Sequence, residues 1–286
     1  MSRSPRFVSL VLLPLTMALA LTSLSACAIS TDDDELSSDD QDVLGGTLSG
    51  DRSVLALRAS GSLAEMECTA VLVAPDAVVT AAHCVHSRWV GSSVKVSVTG
   101  KDRVGSTGWI KAYAPIIHPE FDAQHVNAGH DIAVVILRSN YTGAPPAWLT
   151  AWTLPDAWSD EDARALEPTT LRVVGYGTTT DNPTAATGRR RERMVPLTDL
   201  TDEYLVAGNG GDGQQCHGDS GGPTFLGYYG RWSVVSIASH VYGNCQTGNW
   251  GTRIDANYDF LLSALGSRIP AQLLPPPSTF PGTPEL

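Results

Sequence analysis

A serine at position 220 stands among glycines, an aspartate and a cysteine in the stretch QQCHGDSGGPTF, residues 214–225. A serine hydroxyl is a weak nucleophile near neutral pH. It attacks a carbonyl when a base removes its proton, a further group orients that base, and donors stabilise the oxyanion that forms. If Ser220 is a nucleophile, the chain must also supply a histidine and a carboxylate.

Both partners occur upstream of this serine. His83 lies in VVTAAHCV and Asp131 in GHDIAVVIL, so the order along the chain is His, Asp, Ser. A lone histidine in such a turn is usually structural, and an aspartate that opens an apolar strand is commonly only a polar strand end. Their joint occurrence with Ser220 favours nucleophilic catalysis instead.

Three segments carry a family resemblance. TAAHC at 80–84, DIAVVIL at 131–137 and GDSGGP at 218–223 resemble, in this order, the three characteristic segments of the chymotrypsin-like (trypsin-fold) serine proteases. The resemblance covers residues 43–265. It implies hydrolysis of peptide bonds through an acyl-enzyme, with proteins or peptides as substrates.

The resemblance implies a role for each residue of the site. Ser220 would attack the scissile carbonyl, His83 would move the proton, and Asp131 would fix the imidazole tautomer. The backbone N–H groups of Gly218 and Ser220 would form the oxyanion hole. Ser239 occupies the position at which the family places a serine that hydrogen-bonds the triad aspartate.

The same resemblance implies a specificity pocket. Gln214 falls at its floor, where trypsin-type relatives hold an aspartate for Lys or Arg, and Ser239, Val241 and Asn249 fall along its wall. The salt-bridge partner for a basic residue is therefore missing, and a valine in the wall shortens the pocket. We expect small or medium uncharged residues before the scissile bond.

Family members become active when a new N-terminal amine inserts beside the aspartate that precedes the nucleophile. Val43 opens VLGG, which resembles such an N-terminus, and Asp219 resembles its partner. Most relatives carry Arg or Lys before the cut, whereas this chain has Asp42. Either a protease that accepts acidic residues cuts there, or the protein rests uncut and weakly active.

The chain has five cysteines. Apart from Cys27 they form an even set, which in an exported chain predicts two disulfides, and four cysteines allow three pairings. The family resemblance implies the pairs Cys68–Cys84 and Cys216–Cys245.

The N-terminal segment predicts export. In residues 1–27 two arginines precede an apolar stretch and then small residues, as in a signal peptide. LSAC, ending at Cys27, resembles a lipobox, which would leave an acylated cysteine and a membrane tether. The competing interpretation is a small-x-small cleavage site that releases a soluble protein.

Residues 28–42 carry seven acidic side chains and no Lys or Arg, which predicts a solvated propeptide or linker.

The remaining chain predicts a β domain with two short appendages. Short runs rich in Val, Ile and Thr, separated by turn residues, fill residues 43–265 and predict an all-β fold. The resemblance implies two antiparallel six-stranded β-barrels with the active site in the cleft between them. Helical periodicity in ANYDFLLSAL, residues 256–265, predicts one short C-terminal helix. Residues 266–286 are rich in proline and predict an extended tail.

Charge and motifs argue against several other classes of function. The formal net charge of −11 leaves no basic footprint, so we expect no nucleic-acid partner. We also expect no metal and no cofactor, because HExxH and CxxC motifs are absent and GNGGDG follows no strand-to-helix pattern.

His118 resembles a common loop element of the fold, and His130 has no identifiable partner. We expect a monomer.

The stretch GRRRER at 188–193 concentrates positive charge. A run of this kind is usually a solvated loop. The alternative is a docking patch or a site of proteolytic nicking.

Two other functions remain open at this point. The first is a binding or scaffold lipoprotein that keeps the fold without cleaving, which the unusual Asp42 favours and the intact Ser, His and Asp disfavour. The second is an esterase or acyl transferase that uses the same nucleophile.

Overall fold

A computed structural model describes residues 46–61, 64–90, 93–97, 108–150, 154, 170–178, 189–208, 215–228, 230–242, 245 and 248–268. Three of the predicted functional residues lie outside these ranges. They are Cys27, Val43 and Gln214. The predicted signal peptide, the acidic segment and nearly all of the proline-rich tail lie outside them as well.

The described residues form fifteen strands and one α-helix, with 3₁₀ turns at Val126–Ala128 and Gly266–Arg268. The elements are β1 Thr47–Leu48, β2 Val54–Ser60, β3 Glu65–Ala74, β4 Ala77–Thr80, β5 Ser93–Ser97, β6 Trp109–Lys111, β7 Ile116–Ile117, β8 Ala133–Ile136, β9 Trp148–Leu149, β10 Thr170–Gly175, β11 Arg191–Leu200, β12 Tyr204–Ala207, β13 Pro223–Tyr228, β14 Arg231–Val241, β15 Asn249–Arg253 and α1 Tyr258–Leu265.

The first sheet has the strand order β6-β5-β2-β3-β4-β8-β7, and its pairs are antiparallel. It curls until Ala112, just after β6, forms a bridge with Leu137, just after β8. Strands β4 and β8 read AVVT and AVVI and are buried at every position. Continuous apolar runs of this kind are expected where both faces of a strand are covered.

The pairing of β4 with β8 positions two of the predicted catalytic residues. Thr80 at the end of β4 is opposite Ala133 at the start of β8. His83 follows Thr80 by three residues and Asp131 precedes Ala133 by two. An antiparallel register therefore delivers both side chains to the same edge of the first sheet.

The second sheet closes on itself. Its strands follow the order β11-β10-β13-β14-β15-β12, and β12 pairs with β11 to complete a six-stranded barrel. Strand β1 adds to β11, and β9 adds to β14 in parallel. Ser220 precedes β13 by three residues, and Ser239 lies in β14, the strand that pairs with β13.

The predicted all-β class with a short C-terminal helix is confirmed. The structure has one closed six-stranded barrel and one curled seven-stranded sheet, whose ends meet at the single Ala112–Leu137 bridge. Helix α1 ends at Leu265 as predicted, and it buries Leu261 and Leu265. Gly266 follows with a positive φ of 54°, a conformation that glycine adopts without steric cost.

The arginine-rich stretch differs from the solvated loop that its charge predicts. Arg190 and Arg191 are buried at the start of β11. The Arg190 guanidinium donates hydrogen bonds to the carbonyl oxygens of Ser49 and Val54 and to the Tyr176 hydroxyl. These contacts explain the burial, because a guanidinium with several donors in a planar fork can satisfy backbone acceptors inside a protein.

Candidate active site

Asp131 holds His83 through two hydrogen bonds. The His83 ring Nδ1 lies 2.7 Å from Asp131 Oδ2, and the His83 backbone N–H donates to Asp131 Oδ1 over 2.9 Å. An ionised carboxylate only accepts, so Nδ1 carries the proton and Nε2 presents a lone pair. The imidazole is therefore fixed in the tautomer that can act as a base at Nε2.

The second sheet supplies a further donor to the same carboxylate. Ser239 Oγ in β14 donates to Asp131 Oδ2 over 2.6 Å, and Thr252 Oγ1 in β15 donates to the Asp131 carbonyl over 3.3 Å. Asp131 is fully buried. Hydrogen bonds to a buried charge are required, since an unpaired carboxylate in this position would be costly.

The pKa values of the pair shift in opposite directions. Burial lowers the pKa of His83, but the charge and the hydrogen bond of Asp131 outweigh burial and raise the pKa above its ordinary value of 6.5. Burial raises the pKa of Asp131, but the charge of His83 and hydrogen bonds from His83 and Ser239 lower it below 3.8. Asp131 is therefore ionised at neutral pH and stabilises a protonated His83.

Ser220 lies near His83 but is not joined to it. Cys84 Sγ is 3.6 Å from His83 Nε2 and 3.6 Å from the Ser220 carbonyl oxygen, so one sulfur contacts both residues. The Thr69 N–H also donates to the Ser220 carbonyl over 2.8 Å. Among the described residues, Ser220 Oγ makes no hydrogen bond with His83. In ligand-free enzymes this contact is often long and tightens when substrate binds.

Glycine is required beside the predicted nucleophile. Gly221 has a φ of +80°, and a Cβ atom there would lie 2.1 Å from Thr80 Oγ1 and 2.3 Å from the Thr69 carbonyl oxygen. The turn that contains Ser220 therefore packs directly on β3 and β4, and β4 leads along the chain to His83. Only a residue without a side chain permits that approach.

Gly218 and Ser220, the two residues predicted to form the oxyanion hole, lie in the same turn. Gly218 has a φ of +91°, and its carbonyl accepts a hydrogen bond from Thr69 Oγ1 over 3.0 Å. Within the described part of the chain, the Ser220 N–H donates no hydrogen bond to protein. It is therefore available to an incoming oxyanion.

Asp219 is buried between two glycines of the second sheet. Its Oδ1 accepts from the Gly177 N–H over 2.6 Å and its Oδ2 from the Cys216 N–H over 2.9 Å. A Cβ at Gly175 or Gly177 would lie 1.9 Å or 2.2 Å from this carboxylate. The absence of side chains at Gly175 and Gly177 therefore leaves room for the buried carboxylate of Asp219, the residue directly before Ser220.

A cavity of about 190 Å³ adjoins Ser220. Its described lining residues are Gln215, Cys216, His217, Ser220, Ala238, Ser239, His240, Val241 and Asn249. Asn249 Nδ2 donates to Gln215 Oε1 over 2.7 Å, and both residues are almost completely buried. None of the described lining residues is a carboxylate that could bind Lys or Arg. The structure thus brings the predicted Ser239, Val241 and Asn249 together at this cavity.

His240 is a site residue whose surroundings the sequence did not predict. Its ring stacks on Trp250 at 5.9 Å, and Tyr204 and Tyr242 each meet it edge-on at 5.1 Å. Its Nδ1 lies 3.2 Å from Ser239 Oγ, and its buried Nε2 has no hydrogen-bond partner among the described residues. Burial lowers its pKa. A half-buried imidazole with a lowered pKa therefore lines the cavity next to Ser239, the residue that hydrogen-bonds Asp131.

Two disulfides fix the walls of the site. They link Cys68 to Cys84 and Cys216 to Cys245, the pairs that the resemblance implies. The first joins β3 to the residue after His83. The second joins Cys216, four residues before Ser220, to the segment after β14. Disulfides are typical of proteins in oxidising compartments.

The fold and this site together define a trypsin-fold serine protease. The family model for Trypsin matches residues 47–260, which is most of the chain, so the protein belongs to the trypsin family of serine-type peptidases. The resemblance found in the sequence is therefore confirmed.

Individual relatives agree with the family. Human chymotrypsin-like elastase family member 1 is 27% identical over 217 residues, covering 70% of this chain and 81% of the relative. The trypsin of Saccharopolyspora erythraea is 26% identical over 219 residues, covering 70% and 87%. The CLIP domain-containing serine protease B15 of Anopheles gambiae is 25% identical over 209 residues, covering 64% and 56%.

Across the part of the chain that the structure describes, no helix combines the length and the apolar composition needed to cross a bilayer.

Proposed function

We propose that the protein is a serine endopeptidase in which Ser220 is the nucleophile, His83 the general base and Asp131 the group that orients His83. The observation that carries this proposal is the pair of hydrogen bonds, 2.7 Å and 2.9 Å, by which a fully buried Asp131 holds His83. A histidine with only a structural role would not need its tautomer fixed in this way close to Ser220. The substrates are proteins or peptides, and the unit that acts is a monomer.

The chemistry follows from the positions of these atoms. Ser220 Oγ attacks the scissile carbonyl while His83 Nε2 takes its proton, and Asp131 stabilises the imidazolium that results. The N–H groups of Gly218 and Ser220 hold the oxyanion. The C–N bond then breaks, His83 returns the proton to the leaving amine, and the acyl group remains on Ser220. Water repeats the sequence, releasing the acid and restoring the serine.

The cavity beside Ser220 favours small uncharged side chains before the scissile bond. A volume of about 190 Å³, with Val241 in its wall and the Asn249–Gln215 hydrogen bond among its lining, leaves little room for an aromatic or basic side chain. The relatives that are named elastases are consistent with this preference. Gln214 contributes an uncharged floor in this proposal.

Activation requires a cut after Asp42. The new amine of Val43 would then pair with Asp219, whose buried carboxylate already accepts two backbone hydrogen bonds. N-terminal sequencing of active protein should begin at Val43. Active material that still carries the acidic segment 28–42 contradicts this step.

Export and anchoring complete the proposal. Residues 1–27 direct export, residues 28–42 form a propeptide or linker, residues 43–265 form the protease domain, and residues 266–286 form the tail. Acylation of Cys27 would tether the protein to the cell envelope, and growth on a radioactive fatty acid would label it. Mature protein without label is the released form that the alternative cleavage site predicts.

The decisive experiment is a peptide-library cleavage profile of the processed protein, with Ser220→Ala as the matched control. We expect cleavage after Ala, Val or similar residues, none after Arg or Lys, and none at all with Ser220→Ala. Turnover of esters with no peptide cleavage would favour the esterase. No turnover of either substrate by processed protein would favour the scaffold.

A further inference from the structure

Three potential metal ligands meet beside the proposed triad. One ligand atom from each of His118, Glu120 and His130 lies within 4.8 Å of the other two. The two imidazole rings stack at 4.4 Å with an angle of 8° between their planes. His118 and Glu120 follow β7, whereas His130 directly precedes Asp131.

Two other groupings of cysteine and histidine near the site offer no free ligands. They contain Cys68 with Cys84 and Cys216 with Cys245, and both cysteine pairs are disulfides. A thiolate is the form of cysteine that binds metal, and a disulfide has none. The cluster of His118, Glu120 and His130 is therefore the candidate that chemistry allows within the described residues.

The hydrogen bonds of His130 leave a place for a cation. Asn257 Nδ2 donates to the Arg253 carbonyl over 2.8 Å, which fixes its Oδ1 as the acceptor that faces His130 Nδ1 at 2.9 Å. His130 Nδ1 therefore carries a proton, and Nε2 lies 3.2 Å from Glu120 Oε2. A metal ion placed between these two atoms would be bound by both the imidazole nitrogen and the carboxylate oxygen.

The surroundings of the cluster add carboxylate groups and room, although Asp255 is paired with Arg253. The cluster lines a cavity of about 340 Å³ that Asp255 and Asp259 also line. Glu203 Oε2 lies 3.6 Å from His130 Nδ1 and is buried without a hydrogen-bond partner among the described residues. Oxygen and imidazole donors around an open position suit zinc and similar divalent ions.

The backbone of His130 is unusual. Its φ is +56°, in the left-handed region that residues other than glycine rarely adopt, and it follows Gly129 at +109°. Such conformations are strained and cluster at functional sites. This one turns the imidazole toward Glu120 while the next residue, Asp131, points into the catalytic network.

We propose that His118, Glu120 and His130 bind Zn²⁺ or a similar divalent transition-metal ion, and that the bound ion inhibits peptide hydrolysis by displacing Asp131. Two imidazoles and one carboxylate leave the fourth tetrahedral position to water. The inhibitory half rests on the proposed function, and the binding half does not.

The coupling follows from the distances that the ion requires. Zinc bonds of about 2.0–2.2 Å place tetrahedral ligand atoms roughly 3.4 Å apart, so any pair of these ligand atoms that now lies farther apart, within the 4.8 Å limit, must move closer. Binding through His118 Nδ1 would also replace the 3.2 Å hydrogen bond that the Glu120 N–H donates to this nitrogen. Because His130 is bonded to Asp131, its movement disturbs the 2.7 Å contact between Asp131 and His83. Displacements of about 1 Å in an active site can reduce a rate about a hundredfold.

Binding is tested on the full-length chain by isothermal titration calorimetry with ZnCl₂ alone. We expect one equivalent to bind, and at least tenfold weaker binding in His118→Gln and in Glu120→Gln. His125→Gln is the matched control, because His125 is an exposed histidine of the same segment that pairs with Asp122 outside the cluster. Its zinc affinity should equal that of the unaltered protein. No binding, or equal binding in His118→Gln, overturns the site.

Inhibition is tested on the processed enzyme by the ratio of kcat/KM with and without zinc, each variant being compared with itself. The unaltered protein and His125→Gln should lose activity with zinc, and His118→Gln should keep its own activity. Equal inhibition of His118→Gln would locate the inhibiting ion elsewhere and overturn the coupling. Calorimetric binding with no loss of activity also overturns the coupling, while an inactive enzyme that binds zinc refutes only the proposed protease function.

Discussion

Ser239 donates its hydroxyl hydrogen to Asp131 over 2.6 Å, although the two residues are 108 positions apart: Ser239 lies in β14 of the second sheet, and Asp131 precedes β8 of the first sheet. This bond links the second sheet to the carboxylate that holds His83, and the 3.3 Å hydrogen bond from Thr252 to the Asp131 carbonyl is a second link. It makes the orientation of the proposed base depend on the packing of both sheets.

Removal of this hydroxyl should slow catalysis without unfolding the protein. Hydrogen bonds to charged groups contribute about 1.5–3 kcal/mol, so kcat/KM of Ser239→Ala should fall roughly 10- to 100-fold. Ser236→Ala is the control, since Ser236 is buried on the same strand and its hydroxyl has no partner among the described residues. Equal rates for the two variants would show that the bond to Asp131 has no role in catalysis.

The pH dependence of hydrolysis should report the raised pKa of His83. Hydrolysis needs neutral His83, so kcat/KM should be high above the folded pKa and fall as the pH drops through it, with a midpoint above 6.5. In Asp131→Asn the opposing effect of the carboxylate is gone and burial lowers the pKa, so the midpoint of the residual activity should move below 6.5. A profile with the same midpoint in both proteins contradicts this assignment.

Enlarging the cavity should alter specificity. Val241→Gly removes three carbon atoms from the wall, so the ratio of kcat/KM for Phe over Ala before the scissile bond should rise at least about tenfold. Paired peptide substrates measure this ratio, with Ser236→Ala as a control that should keep it. An unchanged ratio in Val241→Gly means that Val241 does not limit the pocket.

The buried arginine should contribute to stability. Arg190→Ala leaves buried acceptors at Ser49 and Tyr176 with fewer donors, so the free energy of unfolding should fall by about 1–3 kcal/mol. Urea denaturation in a Ser220→Ala background avoids self-cleavage. Arg88→Ala, at an exposed position where only the backbone N–H makes a hydrogen bond among the described residues, should change it by less than about 0.5 kcal/mol. Equal losses in the two variants would contradict the role of Arg190.

The sequence predicted those parts of the site that local motifs encode. The TAAHC, DIAVVIL and GDSGGP segments located His83, Asp131 and Ser220. The structure joins His83 to Asp131 by hydrogen bonds, and the sulfur of Cys84 contacts both His83 and Ser220. Alternating and continuous apolar runs also sufficed to predict the β class.

Contacts between distant segments were beyond that reasoning. The charge of GRRRER predicted a solvated loop, and this prediction was wrong for Arg190 and Arg191. The carbonyl groups of residues 46–54 that bind these two side chains become their neighbours only when β1 pairs with β11. The sequence around His130 does not reveal its hydrogen-bond partner, because that partner, Asn257, is 127 residues away along the chain. The side chains around His240 come from three separate strands or loops, so the pattern of β14 alone could not reveal them.

The central claim is that Ser220 is activated by His83, and covalent labelling tests it most directly. The processed protein should be treated with a fluorophosphonate, digested, and examined by mass spectrometry. We predict a single adduct on the peptide that contains Ser220, strongly reduced in His83→Ala and absent in Ser220→Ala. No adduct on protein whose N-terminus is Val43, or an adduct that persists in Ser220→Ala, would contradict the account.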